Sequence, residues 1–505
     1  MIASTRLRQD FGEASEHEHE NMMNDMDKGS SNMKEATPGS YKEIFTLALP
    51  LVVSSGSWTI MHFTDRVFLS WYSEDALAAS LPAGVTNFTF ICFFMGVASY
   101  TGTFVAQYSG ARQFDRIGRI VWQGVFFSFL STLLLLPLIP LSLPLFRFIG
   151  HPGNIPELEA QYFRILCYGM GFSLVSSAFS SFFIGLGRTR IVMIVNLLIA
   201  SLNIILDYAW IFGKWGFPRW GIRGAAWATS ISAMIGALII VALYLFPENQ
   251  KRYATISSFG FDSKLFLRLL KFGLPSGLQF LLDMACFTLF VLMVGRLGKL
   301  QLVATNIAFN VNVFAFMPMI GFGIAASTLV GQYLGSNKPD IAVICVRKMF
   351  RLTILYMGTV AISYILFPDL YVRLYGSREN PALLAEIHRM ARILLLFVAV
   401  YSFFDAMNMI YISALKGAGD TFFVMIVIVI SSLFIVVIPT YICCVIYKGS
   451  IYLAWTFFSI YVIFVAFVFL IRYRGGKWKS MRVIETRVSE LSPAPGALSE
   501  SEIMR

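Results

Sequence analysis

Long apolar runs decide what this chain can fold into. Residues 126–145 and 422–446 are almost entirely apolar, and runs of this kind recur along the chain. A helix needs roughly 20 such residues to cross a bilayer, and only 14% of the 505 residues are charged, where soluble proteins carry roughly 25%. The runs, divided at Gly, Pro and charged breaks, predict twelve spans near 43–71, 79–109, 118–145, 160–185, 190–213, 224–246, 266–295, 302–334, 344–367, 390–415, 422–446 and 449–472. The fold class is therefore all-α integral membrane.

Charge placement gives an orientation. Of 40 Lys and Arg, 27 fall in the tails and the loops on their side, and 11 in the opposite loops. The positive-inside bias then sets both termini in the cytoplasm. The net charge of +11 is thus juxtamembrane anchoring rather than a nucleic-acid surface. Residues 1–40 are polar and acidic and hold no basic-then-apolar leader. The first apolar run, from about Ile44, is expected to act as its own insertion signal. The six cysteines sit in or beside apolar runs, with no metal-ligand spacing, and no disulfide framework is expected.

The chain also repeats itself. At an offset of 225, Pro50, Leu77, Ala79, Asn87, Gly96, Val105, Gln107, Tyr108, Gly110 and Asp115 fall on Pro275, Leu302, Ala304, Asn312, Gly321, Val330, Gln332, Tyr333, Gly335 and Asp340. At 232, Gly185, Gly187, Thr189 and Val192-Met193-Ile194-Val195 fall on Gly417, Gly419, Thr421 and Val424-Met425-Ile426-Val427. Two six-span bundles in parallel repeat are predicted, related by an axis along the membrane normal, a known transporter plan. The expected divisions are a polar tail at 1–42, a first lobe at 43–247, a linker at 248–265, a second lobe at 266–473 and a C-terminal tail at 474–505.

Intramembrane acids mark where the repeat diverges. Asp65 aligns with Phe290 and Asp207 with Pro439, while Asp283 aligns with Trp58 and Asp405 with Ser173. An acid at mid-membrane costs about 2.5–3.5 kcal/mol on insertion scales, and such residues mark ion or proton pathways. Asn196, Asn203 and Asp207 are spaced to share a face of the fifth span, offering hard oxygen ligands. His62 precedes Asp65 by three, Gln279 precedes Asp283 by four, and Tyr401 precedes Asp405 by four. Bland roles compete: Asp65 as a partner of Arg66 or His62, Asn203 and Asp207 as helix glue, Asp283 and Asp405 as passive lining. No nucleophile–base pair, zinc spacing or phosphate loop appears, and no enzyme is expected.

Several stretches resemble the multidrug and toxic compound extrusion (MATE) family over about 40–480. They are Asp65-Arg66-Val67-Phe68-Leu69, Val105-Ala106-Gln107-Tyr108-Ser109-Gly110, Gly185-Leu186-Gly187-Arg188-Thr189 and Asn203-Ile204-Ile205-Leu206-Asp207. Gly224-Ala225-Ala226-Trp227-Ala228-Thr229, Phe272-Gly273-Leu274-Pro275-Ser276-Gly277, Ala325-Ala326-Ser327-Thr328-Leu329-Val330-Gly331-Gln332 and Ala414-Leu415-Lys416-Gly417 join them. The resemblance implies a V-shaped pair of bundles exporting small organic, mainly cationic, compounds in exchange for H⁺ or Na⁺. It further implies a plasma (inner) membrane location, a monomer, contact with membrane lipid, and no cofactor or metal beyond Na⁺. By residue, it implies that Asp65 takes part in protonation and substrate release, that Asn203, Asp207 and Thr229 form an N-lobe cation site, and that Pro50 is the bend of the first helix. Asp283, Tyr401 and Asp405 match C-lobe positions proposed for Na⁺ in one bacterial branch, where Glu is usual at the first. His62 departs from the pattern as a titrating neighbour of Asp65. A flippase of lipid-linked precursors is the alternative in the same superfamily; it would call for deep Arg or Lys to hold pyrophosphate.

Overall fold

The computed structural model describes residues 37–151, 153–373 and 381–485. Twelve helices among them are long and apolar enough to span a membrane. They are α1 Tyr41–Tyr72, α2 Glu74–Gly110, α3 Phe114–Leu135, α4 Ile155–Gly185, α5 Thr189–Phe212 and α6 Ile222–Tyr244, then α7 Ser263–Gly295, α8 Lys299–Gly335, α9 Pro339–Leu366, α10 Leu384–Ala418, α11 Thr421–Ile446 and α12 Ile451–Arg474. No strand occurs among the described residues.

Local chemistry sets the ends. Ser40 caps α1 by accepting from the Glu43 N–H, and Asp262 caps α7 through the N–H groups of Lys264 and Leu265. Gly187 and Gly419, a repeat pair, both take positive φ, 79° and 107°, where α4 turns into α5 and α10 into α11.

Two spans depart from expectation. The third, expected to run to 145, ends at Leu135, and a separate helix Leu138–Ile149 follows. Pro137 and Pro140 lack the N–H groups a continuous helix would need there. The eleventh carries π-helical segments at Ser432–Val437 and Ile442–Ile446 on either side of Pro439, the residue aligned with Asp207. Helix α7 starts at Ser263, and the segment before it is clamped to α3. Trp122 donates to the Thr255 carbonyl at 2.6 Å, and Gln123 donates to the Gly260 carbonyl and accepts from the Asp262 N–H.

Packing repeats with the sequence. In the first half α2 packs on α4, α4 on α6 and α1 on α5; in the second, α8 packs on α10, α10 on α12 and α7 on α11. The halves meet where α1 crosses α8 and α2 crosses α7 and α8. Reciprocal contacts close this seam near the tails. Gln107 donates to the Gly417 carbonyl at 3.0 Å, and its counterpart Gln332 donates to the Gly185 carbonyl at 2.8 Å. A Cβ on Gly110 would lie 2.0 Å from the Gln332 carbonyl oxygen, and one on Gly335 would lie 2.1 Å from that of Gln107. Gly96 abuts Gly277 while Gly321 abuts Val52, again repeat-related.

The first part of the tail after α12 is ordered against the protein. Residues 481–485 lie on the body of the protein, with Val483 and Ile484 buried, and Trp478 is buried with its ring stacked on Tyr473. The remaining parts of both expected tails, 1–36 and 486–505, lie outside the described residues.

Gly110→Ala should lower stability by about 1–3 kcal/mol, because the added methyl meets rigid backbone. Gly56→Ala, with nothing within 4 Å of its Cβ position, should leave stability unchanged or higher. Thermal unfolding of the purified variants in detergent compares the two.

Candidate functional site

The first half gathers its polar groups where α1, α5 and α6 pack together. Asp65 is buried on α1, and Asn203 and Asp207 are fully buried on α5, one turn apart. The Asn203 amide donates to Asp65 Oδ1 at 3.0 Å and accepts from the Thr229 N–H at 3.3 Å. The reverse orientation would give its nitrogen only the Thr229 hydroxyl, at 3.3 Å, and turn its oxygen on a carboxylate. The Thr229 hydroxyl itself donates to the Ala225 carbonyl at 3.1 Å.

The Asp207 carboxyl lies within interaction range of that of Asp65, and apart from that acid neither of its oxygens has a hydrogen-bonding partner among the described residues. Two ionised carboxylates in contact, away from water, repel each other strongly. The pair is accommodated when a proton or a small cation sits between them, and the orphaned oxygens of Asp207 are the acceptors such an ion needs. His62 Nδ1 stands 3.7 Å from Asp65 Oδ2 with its ring half exposed, so the histidine lies between the acid and the surface. Arg66 is exposed and forms no ion pair with Asp65. Tyr162 of α4, not singled out from the sequence, lies within electrostatic reach of both acids.

Asn196 does not join this cluster. It donates to Ser54 Oγ at 2.5 Å, about 10 Å further along the helix axis by its seven-residue separation from Asn203. There it ties α5 to the stretch of α1 that follows Pro50, which lies inside the continuous helix α1. Spacing by seven put the three residues on one face but not at one depth.

The second half builds a different set. Asp283 and Asp405 are partly exposed and close enough to interact. Gln279 donates to Asp283, and Lys416 Nζ donates to Gln279 Oε1 at 2.9 Å, so a cation reaches the acid through an amide. Tyr401 is buried, its hydroxyl accepting from Asn312 at 3.5 Å, and Tyr461 of α12 lies near both acids. Lys416 escapes a sequence reading because it lies at the end of a span, where basic residues are ordinary anchors. Among the described residues, no group of three or more His, Cys, Asp or Glu is arranged to hold a metal, and the six cysteines are free.

The sequence profile of the MatE family matches residues 50–209 and again 275–442. The two matches begin 225 residues apart (275 − 50), the spacing of the internal repeat. The chain belongs to the MatE family. It is 30% identical over 465 residues to "Probable multidrug resistance protein NorM" of Thermotoga maritima, covering 91% of this chain and 97% of that one. "Probable multidrug resistance protein YoeA" of Bacillus subtilis is 26% identical, covering 77% of this chain and 83% of that one. Among solved structures, an outward-facing conformation of a multidrug resistance MATE family transporter superposes with a TM-score of 0.79 at 21% identity, covering 88% of this chain and 97% of that chain. That likeness bears on the fold. MatE proteins are transporters, not enzymes, and this MatE chain is a multi-pass membrane protein.

Asp207→Asn should keep or raise the unfolding temperature, since it removes a partnerless buried carboxylate and adds a donor facing Asp65. Asn203→Leu should cost about 1–3 kcal/mol, because it strips a donor from buried Asp65. A clear loss of stability in Asp207→Asn would contradict this account of the site.

Proposed function

We propose that this MatE protein is an antiporter that exports small organic, mainly cationic and amphipathic, compounds in exchange for H⁺ or Na⁺. The observation that carries the reading is the Asp65–Asp207 contact, sealed in the first half with two acceptors left over. Such a pair holds its ion in one state and gives it up when the surroundings change. Asn203 and Thr229 position the acids, and His62 guards the exposed flank. Its relatives in Thermotoga maritima and Bacillus subtilis are named as probable multidrug resistance proteins, which supports a broad range of cargo.

Asp283 and Asp405, partly exposed in the second half, are the proposed place for the cargo's positive charge or for a second ion, with Tyr401 beside them. The basic groups nearby argue against a pyrophosphate-bearing cargo: Lys416 is engaged through Gln279, and Arg66 is exposed. In this reading residues 43–247 and 266–473 move as two bodies about Pro50 and the seam, in a monomer surrounded by lipid. Both tails lie in the cytoplasm of a plasma (inner) membrane. With the tails cytoplasmic, closure of the seam at the tail side supports reading this state as the outward-open one of an alternating-access cycle.

Efflux of ethidium from proteoliposomes, under an imposed pH gradient and then an imposed Na⁺ gradient, identifies the driving ion. Asp65→Asn and Asp207→Asn are each expected to reduce gradient-driven efflux at least about tenfold, a loss of order 1.4 kcal/mol or more, with insertion intact. Asp283→Asn is expected to remove stimulation by Na⁺ if Na⁺ proves to be the driving ion. Normal pumping by both Asp65→Asn and Asp207→Asn would sink the N-lobe site.

A further inference from the structure

At the tail end of the seam the two helix crossings are related by the repeat, but their polar contacts are built differently. Where α1 meets α8, Tyr333 donates to Glu43 at 2.5 Å, and Glu43 also accepts from the Gly39 N–H at 2.7 Å. The counterparts of Tyr333 and Glu43, 225 residues away, are Tyr108 and Arg268. The α2–α7 crossing therefore sets a hydroxyl donor opposite a cation, with no carboxylate from either repeat to join them.

The missing acceptor comes from beyond the repeats. Glu485 Oε2 accepts from the Tyr108 hydroxyl at 2.8 Å, and its Oε1 pairs with Arg268 at 3.1 Å. Arg268 also donates to the Val483 carbonyl, and the Val483 N–H donates to Gln107 Oε1 at 2.8 Å. The Val483 side chain is buried between Gly419 and the core around Phe272. The segment thus touches the first half at Gln107 and Tyr108 and the second at Arg268 and Gly419.

We propose that Glu485 is a positioning residue of the transport cycle: segment 481–485 supplies the carboxylate that position 268 lacks, and latches the α2–α7 side of the seam as Glu43 latches the α1–α8 side. Burial alone would push the Glu485 carboxyl up. Its backbone hydrogen bond, the Tyr108 hydroxyl, Arg268 and Arg116 outweigh that and hold it below the ordinary carboxylate range. The latch is therefore charged at neutral pH. Alternating access requires this seam to part, so the strength of the latch biases the equilibrium between the two states. The inference rests on alternating access as proposed above, and on neither the driving ion nor the cargo.

The test uses full-length protein in proteoliposomes, with its cysteines replaced and spin labels at Asp115 and Asp340, exposed repeat partners in the first turns of α3 and α9. Glu485→Ala is expected to shift the ratio of parted to closed distances on the order of tenfold, the loss of a charge-assisted bond. Tyr108→Phe should shift it the same way by less. Adding Arg268→Glu to Glu485→Ala restores a carboxylate at the Glu43-equivalent position and should return the distribution toward wild type, which a merely structural role would not do. The proposal falls if Tyr108→Phe leaves the distances unchanged or if the double variant stays as shifted as Glu485→Ala. Should Glu485→Ala fail to insert, Tyr108→Phe and the double variant decide. Ethidium efflux measured in parallel separates a failed latch from a failed ion site, since the distances shift whether or not Asp65 and Asp207 carry the driving ion.

Discussion

The molecule depends on a seam in which backbone touches backbone. Gln107 and Gln332 each reach across to a glycine carbonyl in the other half, and Gly110 and Gly335 let the chains approach to distances that no side chain would allow. In a membrane, lipid tails are as apolar as Leu, so helix association relies on close packing and hydrogen bonds. A joint of this kind is strong when shut. Its side-chain bonds are concentrated toward the tail end, with Ser55 donating to the Met317 carbonyl further along.

Duplication and divergence divide the work between the halves. The residues shared by the two repeats, glycines, glutamines and tyrosines, build the seam. The residues that differ build the chemistry. Asp65 and Asp207 form a buried pair on one side, while Asp283 and Asp405 form an amide-bridged set with Lys416 on the other. Where Asp207 stands in the first half, the second has Pro439 and π-helical turns. The structural positions are equivalent, and their roles are not.

This asymmetry gives the two acid sets different electrostatics. A buried pair whose one basic neighbour is the half-exposed His62 responds to whatever small cation or proton reaches it. A partly exposed acid tied through Gln279 to Lys416 has its field already balanced in part. Under the proposed function, a cationic ligand at these acids would compete with a tethered ammonium, which favours weak, exchangeable binding over capture.

Twelve spans, their order and their duplication were legible in the amino-acid sequence alone, because apolar run length and identity at a fixed offset are one-dimensional signals. Asp65, Asn203 and Asp207 were legible too, since acids are rare in hydrocarbon. Tertiary structure decided depth and partnership. It moved Asn196 away from the acids to Ser54, put Lys416 beside Gln279, ended the third span at Leu135, and folded Val483 and Glu485 into the seam. Helical spacing fixes the angle around an axis, whereas height and neighbours depend on how other helices pack against it. A polar strap carries no apolar signature, and only the donors waiting for it in the folded protein give it a place.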